Sequence, residues 1–180
     1  KFLLAFPDVY EIGMSHLGFQ ILYHILNAQE DVGAERVFAP WIDFEKVLRK
    51  RDLPLFSLES RRPLNFFDII GFSLQYELSY TNVLSMLDLG NIPLRSKHRN
   101  GKSPLIIAGG PCTFNPEPMA EFFDALVIGE GEEVILEIVN VFKEWKTRKE
   151  GRPGLLDRLT TISGVYVPSR FAVRYHPQGF

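Results

Sequence analysis

The sequence predicts an α/β fold, a doubly wound, five-stranded parallel sheet of flavodoxin-like (Rossmann-like) order, with a short C-terminal connector. Three observations lead there. Short, wholly apolar runs recur along the chain, the mark of strands covered on both faces. Amphipathic stretches with helical spacing separate them, which demands crossover connections, right-handed by default. Glycines and small polar residues follow the ends of the runs, where open parallel sheets bind ligands.

Taken in order, Phe2 to Phe6 is the first strand, ended by Pro7. Leu17, Ile21, Leu22, Ile25 and Leu26 recur at helical spacing, so a helix spans about 16–28. Ala34 to Phe38 is a second strand. Ile42 to Lys50 is a short helix, with Asp43 and Glu45 early and Arg49 and Lys50 late, as the helix dipole prefers. Residues 54–63 are irregular. Phe66 to Phe72 is the third strand, and Leu78 to Leu89 a helix stopped at Gly90. Ser96 to Ser103 is polar enough for a solvated loop. Leu105 to Ala108 is the fourth strand, Met119 to Phe123 a short helix, Ala125 to Ile128 the fifth strand, and 132–149 a long helix. After Gly151-Arg152-Pro153-Gly154 the alternation stops. Residues 1–150 therefore form the domain, and 151–180, with a strand-like piece around Tyr166, form the connector.

Composition narrows the class. The chain has 180 residues, 46% hydrophobic and 23% charged, which excludes a disordered chain. A net charge of −2 argues against a dedicated nucleic-acid binder. The one cysteine, Cys112, rules out a disulfide framework and suits a reducing, cytoplasmic setting. It also rules out an all-cysteine iron–sulfur or zinc site within these residues. No apolar run approaches the ~20 residues of a membrane span, so no membrane contact is expected. The chain opens directly on an apolar strand without an initiator Met, as an excised piece of a longer protein would.

Several chemistries are set aside by spacing. GxxxxGK[ST] and GxSxG are absent. Gly129-Glu130-Gly131 starts like a dinucleotide fingerprint, but Val134 stands at the third glycine and the glutamates repel a pyrophosphate. A flavodoxin's phosphate loop does not match Pro7-Asp8-Val9-Tyr10, and a response regulator's aspartate is replaced by Ser73. The histidines His16, His24, His98 and His176 show no ligand spacing, and His24 reads as a surface or packed residue.

The loops after the strands together resemble the cobalamin (B12)-binding-type domain at the N-terminus of many radical SAM proteins. The resemblance rests on residues 6–18 (FPDVYEIGMSHLG), 57–63 (SLESRRP) and 70–78 (IGFSLQYEL). Most specifically it rests on IAGGP at 107–111, NPEP at 115–118 and VIGEGE at 127–132. GVYVP at 164–168 is similar to the connector that leads such proteins into their radical SAM barrel. The resemblance implies an accessory domain holding cofactor or substrate over that barrel, with [4Fe-4S] and SAM bound only in the rest of the polypeptide.

In cobalamin domains the first loop reads DxHxxG, and its His ligates cobalt. Here Asp8 and Gly13 keep their spacing, but Tyr10 takes the His position, and a phenol of pKa near ~10 is a poor ligand at neutral pH. His16 has Met14 and Phe19 where that motif's Asp and Gly belong. Ser73 fits the serine of SxL, with Gln75 replacing Leu, and Gly109 and Gly110 fit the pair that passes the cofactor's tail. The implied cofactor-binding set is therefore Asp8, Tyr10, Gly13, Ser73, Gln75, Gly109, Gly110, Cys112, Gly129 and Gly131. Two outcomes stay open. Either cobalamin is bound without His ligation, or the fold is kept, the cofactor is lost, and the domain recognises substrate, protein or RNA. In the second case Tyr10, Tyr76, Phe114 and residues 57–62 form the contact surface, and the basic residues Arg61, Arg62, Arg95, Lys97, Arg99 and Lys102 leave an RNA or ribosomal component open. Cys112 is either a thiolate contact or, more in keeping with an unactivated thiol, a small space-filler. Glu130, Glu132 and Glu133 complement a helix N-terminus, and Asp8 hydrogen-bonds neighbouring backbone amides.

Overall fold

The computed structural model describes residues 1–148, 150–172, 174 and 178. Lys149, where the sequence ends its last helix, and His176 lie outside the described residues.

Five strands run parallel: β1 (Phe2–Phe6), β2 (Ala34–Phe38), β3 (Ile69–Ser73), β4 (Leu105–Gly109) and β5 (Ala125–Val127). The sheet order is β2-β1-β3-β4-β5-β6, so the flavodoxin-like order holds. The expected count of five strands needs correction. A sixth, β6 (Val165–Tyr166), pairs antiparallel with β5, through Leu126 with Tyr166 and Val127 with Val165. The segment expected as a connector thus contributes to the same sheet. Gly164, at φ +78, turns the chain there and accepts a 2.7 Å bond from the Ile128 N–H.

Every residue of β1 is buried, and its alternate side chains enter two separate cores. Leu3 and Ala5 join α3 (Ile42–Lys50) and α4 (Tyr80–Leu89) on one face. Phe2, Leu4 and Phe6 join α2 (Leu17–Asn27), α5 (Val134–Arg148) and α6 (Arg152–Leu159) on the other. A period of two with both faces covered is what makes the run uninterruptedly apolar. The loop after β1 also holds a short helix, α1 (Tyr10–Ser15), which the sequence did not suggest.

Two helix ends differ from expectation for physical reasons. Gly90 does end α4, but at φ −82. A Cβ there would lie 2.8 Å from Leu64, so close packing selects the glycine, and Asn91 takes the left-handed turn at φ 54. His16 caps α2, its Nδ1 accepting the Phe19 N–H at 3.2 Å.

β2 is the sheet's other edge, and residues 57–60 lie across it. The Leu58 N–H donates to Arg36 O at 2.7 Å. Glu59 accepts from the Arg36 N–H at 2.8 Å, and Glu35 accepts from the Ser60 N–H at 3.1 Å.

The loop 96–103, expected to be solvated, is anchored instead. Arg99 is buried, and its guanidinium donates to Pro93 O, Leu94 O and Phe122 O. It also meets Asp124 at 3.2 Å, and Arg152 of α6 meets the same carboxylate at 2.7 Å. The Ile106 N–H donates to that oxygen as well, at 2.7 Å. Arg152 further donates to Asn100 O, Ser103 O and Pro104 O. Burial pulls the Arg99 guanidinium down and Asp124 pushes it back; it remains charged, as guanidinium does in proteins.

Removing the carboxylate strands two buried cations. Asp124→Asn is expected to lower stability by about 3 kcal/mol or more. The check is the urea midpoint, which should fall clearly, whereas Asp157→Asn, at an exposed pair with Arg170, should shift it by less than about 0.5 kcal/mol.

Candidate functional site

Beyond the carboxyl ends of β1, β3, β4 and β5 the chain leaves a cavity of about 250 Å³ between the sheet, α2 and α5. Leu4, Ile107 and Val127 form its sheet wall, Phe19 and Leu22 its α2 wall, and Ile135 and Ile138 its α5 wall. The mouth is polar: Ser73, Gln75, His16, Glu130 and Glu132.

The strand tips are held rigidly. Leu74 N–H donates to Gly109 O at 2.7 Å, and Cys112 N–H donates back to Leu74 O at 3.2 Å. The Thr113 hydroxyl lies 2.6 Å from Val127 O and 2.8 Å from Gly110 O, so it bridges the ends of β4 and β5. Gly110 sits at φ +109, and a Cβ there would lie 2.6 Å from Leu74 O, so neither conformation nor space admits a side chain. The other lip glycines are different. A Cβ on Gly109 would approach nothing closer than 3.8 Å, on Gly131 nothing closer than 3.7 Å, and on Gly129 nothing within 4 Å. Side chains at these positions would occupy the space beside the mouth.

Of the residues singled out from the sequence, the structure brings Ser73, Gln75, Gly109, Gly110, Gly129 and Gly131 together around this cavity. Gln75 Nε2 donates to Ser73 Oγ at 2.8 Å, which fixes both side chains at the mouth. The other four lie elsewhere. Asp8 accepts the Val9 N–H at 2.7 Å and the Tyr76 hydroxyl, which raises the Tyr76 phenol above its ordinary value. Tyr10 packs edge-on against Phe38 and lines a separate groove of about 530 Å³ with Trp41, Phe44 and Phe56. Gly13 is buried inside α1, where a Cβ would fall 2.4 Å from the Phe38 ring. Cys112 is buried beside Tyr80, outside the cavity lining. Burial pushes its thiol up, against a hydrogen bond from Tyr80 that pulls it down, and the Tyr80 phenol is pushed up to about 12, chiefly by burial.

Sequence reasoning left out His16 and Gly71, both of which line the cavity. The signal for His16 was its place just before α2, where a capping side chain turns inward. Its Nδ1 is engaged as the cap. Gly71 has only its position in β3, where a Cβ would press on the Phe2 ring at 3.0 Å. Among the described residues, no group of three or more His, Cys, Asp or Glu is placed to hold a metal ion. No helix among them is long and apolar enough to cross a membrane.

Two expected outcomes test this geometry. Gly110→Ala should destabilise the fold by about 2 kcal/mol or more, since it adds left-handed strain to a backbone clash, whereas Gly109→Ala should leave the urea midpoint nearly unchanged. Because the Cys112 thiol is buried and held protonated, its labelling by DTNB at pH 8 should run at least about tenfold slower in the native protein than in urea.

Residues 18–168 match the family model described as "Radical SAM proteins, N-terminal". The chain is 26% identical over 140 residues to the uncharacterized protein MJ0966 of Methanocaldococcus jannaschii, covering 76% of this chain and 26% of that protein. In fold it is similar to the radical S-adenosylmethionine methyltransferase TsrM from Kitasatospora setae. Against the structure with tryptophan substrate and a SAM analog the TM-score is 0.49 at 15% identity. Against the structure with cobalamin and a [4Fe-4S] cluster it is 0.48 at 13%. Both alignments cover 79% of this chain, and 26% and 24% of the TsrM chains. The chain thus spans about a quarter of the length of these relatives.

Proposed function

The chain belongs to the family of N-terminal domains of radical SAM proteins, and on that premise we propose that it is an accessory domain whose cavity holds a cofactor or substrate facing the radical SAM domain of the same polypeptide. The observation that carries this reading is the apolar cavity under a glycine lip at the carboxyl edge of the sheet. Sites at that edge are the rule in open parallel sheets.

The residues present fit a flat organic group no larger than the cavity of about 250 Å³, entering between α2 and α5, because the walls are apolar and the lip glycines carry no side chains. Cobalamin is the group proposed. When bound it supplies a cobalt centre able to carry an alkyl group. Ser73, Gln75, Gly109, Gly110, Gly129 and Gly131 would hold it. Tyr10, at the motif's His position, faces another groove, and His16, which does line the mouth, has its Nδ1 engaged in capping α2; both support binding without an axial imidazole from the first loop. The [4Fe-4S] cluster and SAM belong to the rest of the polypeptide, because one cysteine cannot hold a cluster. The residues described here act by shaping and orienting, in the reducing cytoplasmic setting that a lone thiol suits.

A second reading draws on the exposed side chains of Tyr10, Tyr76 and Phe114: the fold without the cofactor, recognising a substrate, a protein or RNA. Arg99 drops out of the basic residues offered for RNA, being buried on Asp124.

Titration with hydroxocobalamin, followed by visible absorbance and gel filtration, separates the readings. Saturable binding at micromolar concentration, weakened at least about tenfold by Gly131→Val, supports the first. An unchanged spectrum with no retained cobalamin supports the second. In the reduced Co(II) form the electron paramagnetic resonance spectrum should lack nitrogen splitting from a protein imidazole. Splitting that disappears in His16→Ala would instead give His16 the axial position.

A further inference from the structure

The groove that Tyr10 faces lies between the start of α1, the start of α3 and the turn of residues 55–61. It measures about 530 Å³, and none of the described residues lines both it and the cavity. Four of its lining side chains are aromatic: Tyr10, Trp41, Phe44 and Phe56. Two of the rings are braced. Tyr10 stands edge-on to Phe38 at 5.4 Å between centroids, and Phe44 edge-on to Phe56 at 5.9 Å. Yet Trp41 remains 63% exposed and Tyr10 48%. Aromatic side chains held rigid but left open to solvent are the composition of binding surfaces.

The unused polar groups of this groove sit on its rim. Glu11 and Arg61 are both exposed, and neither makes a hydrogen bond or ion pair among the described residues, with each other included. The Tyr10 hydroxyl and the Trp41 indole N–H also lack partners among the described residues. Buried Ser57, by contrast, has its hydroxyl engaged by the Arg62 N–H at 3.1 Å.

We propose that this groove binds a proline-rich segment of a partner protein in the polyproline II conformation, its rings packed among Tyr10, Trp41, Phe44 and Phe56. Three observations select that occupant. The strap of 57–60 already takes the outward groups of Arg36 on β2, so an extended peptide cannot join the sheet there as another strand. No free polar group lies in the depth of the groove, where a small ligand would need one to fix its orientation. Arg61 is the one cation among the described lining residues and Glu11 opposes it, which disfavours a polyanion such as RNA. A polyproline II segment suits all three. It needs no ladder, its backbone carbonyls are free to accept from the Trp41 indole and the Tyr10 hydroxyl, and its rings fill aromatic grooves at little entropic cost. Glu11 and Arg61 then meet a basic residue at one end of the segment and an acidic one at the other. The inference goes beyond both readings above and holds with the cavity filled or empty.

Isothermal titration of the full-length polypeptide tests it, with an octaproline peptide carrying arginine at one end and glutamate at the other. Saturable binding at micromolar concentration is expected, and a glycine–serine peptide of the same length and end charges should bind at least about tenfold more weakly. Trp41→Ala should weaken binding at least about tenfold, while Trp41→Phe, which keeps a ring and loses the donor, should fall between. Arg61→Glu should weaken it too, and exchanging the peptide's glutamate for lysine should restore it. Trp41 and Arg61 are exposed, so the urea midpoint of each variant should match the parent. Absence of binding to the full-length polypeptide, equal binding of the glycine–serine peptide, indifference to Trp41→Ala, or tighter binding of a single-stranded RNA oligonucleotide that Trp41→Ala abolishes would each overturn the inference. Trp41→Ala should leave hydroxocobalamin uptake unchanged, so this inference and the cofactor reading fail separately.

Discussion

One buried carboxylate organises the far side of the molecule. Asp124 accepts from the Ile106 amide, from Arg99 and from Arg152, so one oxygen joins the start of β4, the start of β5, the loop 96–103 and α6. Without it two guanidinium groups would face each other in a dry interior. With it, each cation spends its remaining donors on carbonyls of the loops it crosses, apart from the buried Arg152 Nε, which has no partner. The register of β5 follows from this clamp, and β5 is only three residues long. Val127 and the Gly129–Gly131 lip are therefore held in place from the opposite end of the strand. The cavity is shaped at its mouth by glycines and at its root by an ion cluster.

Much of this architecture was legible because it depends on period and punctuation. The bounds of β1, β2 and α3 follow from apolar runs and charge placement in a few consecutive residues. What escaped depends on contacts distant in sequence. Nothing local marks Arg99 or Arg152 as buried, because each sits in a polar stretch and finds Asp124 only after folding. Likewise β6 is a pair of residues whose strand character comes from β5.

The site divides in the same way. Ser73, Gln75 and the glycines converge because each directly follows or ends a strand, and strand ends in one parallel sheet share an edge. Asp8, Tyr10 and Gly13 do not, because the loop after β1 coils into α1 and carries Tyr10 toward β2. Their spacing survives, yet it serves packing: Gly13 lets Phe38 approach, and Asp8 joins the loops after β1 and β3 through Tyr76. The sequence thus keeps the outline of a ligand motif on a segment whose side chains mostly address their own fold.

Both borders of the sheet are closed by different means. At β6 the ladder ends after two antiparallel residues, and at β2 the strap of 57–60 takes the outward Arg36 N–H with the Glu59 carboxylate and the Arg36 carbonyl with the Leu58 N–H. A foreign strand finds no free row of donors to join, so edge-to-edge polymerisation is blocked at the outset. Apolar side chains exposed at the carboxyl edge, Leu17, Leu78 and Phe114 among them, can then persist without recruiting further strands to the sheet.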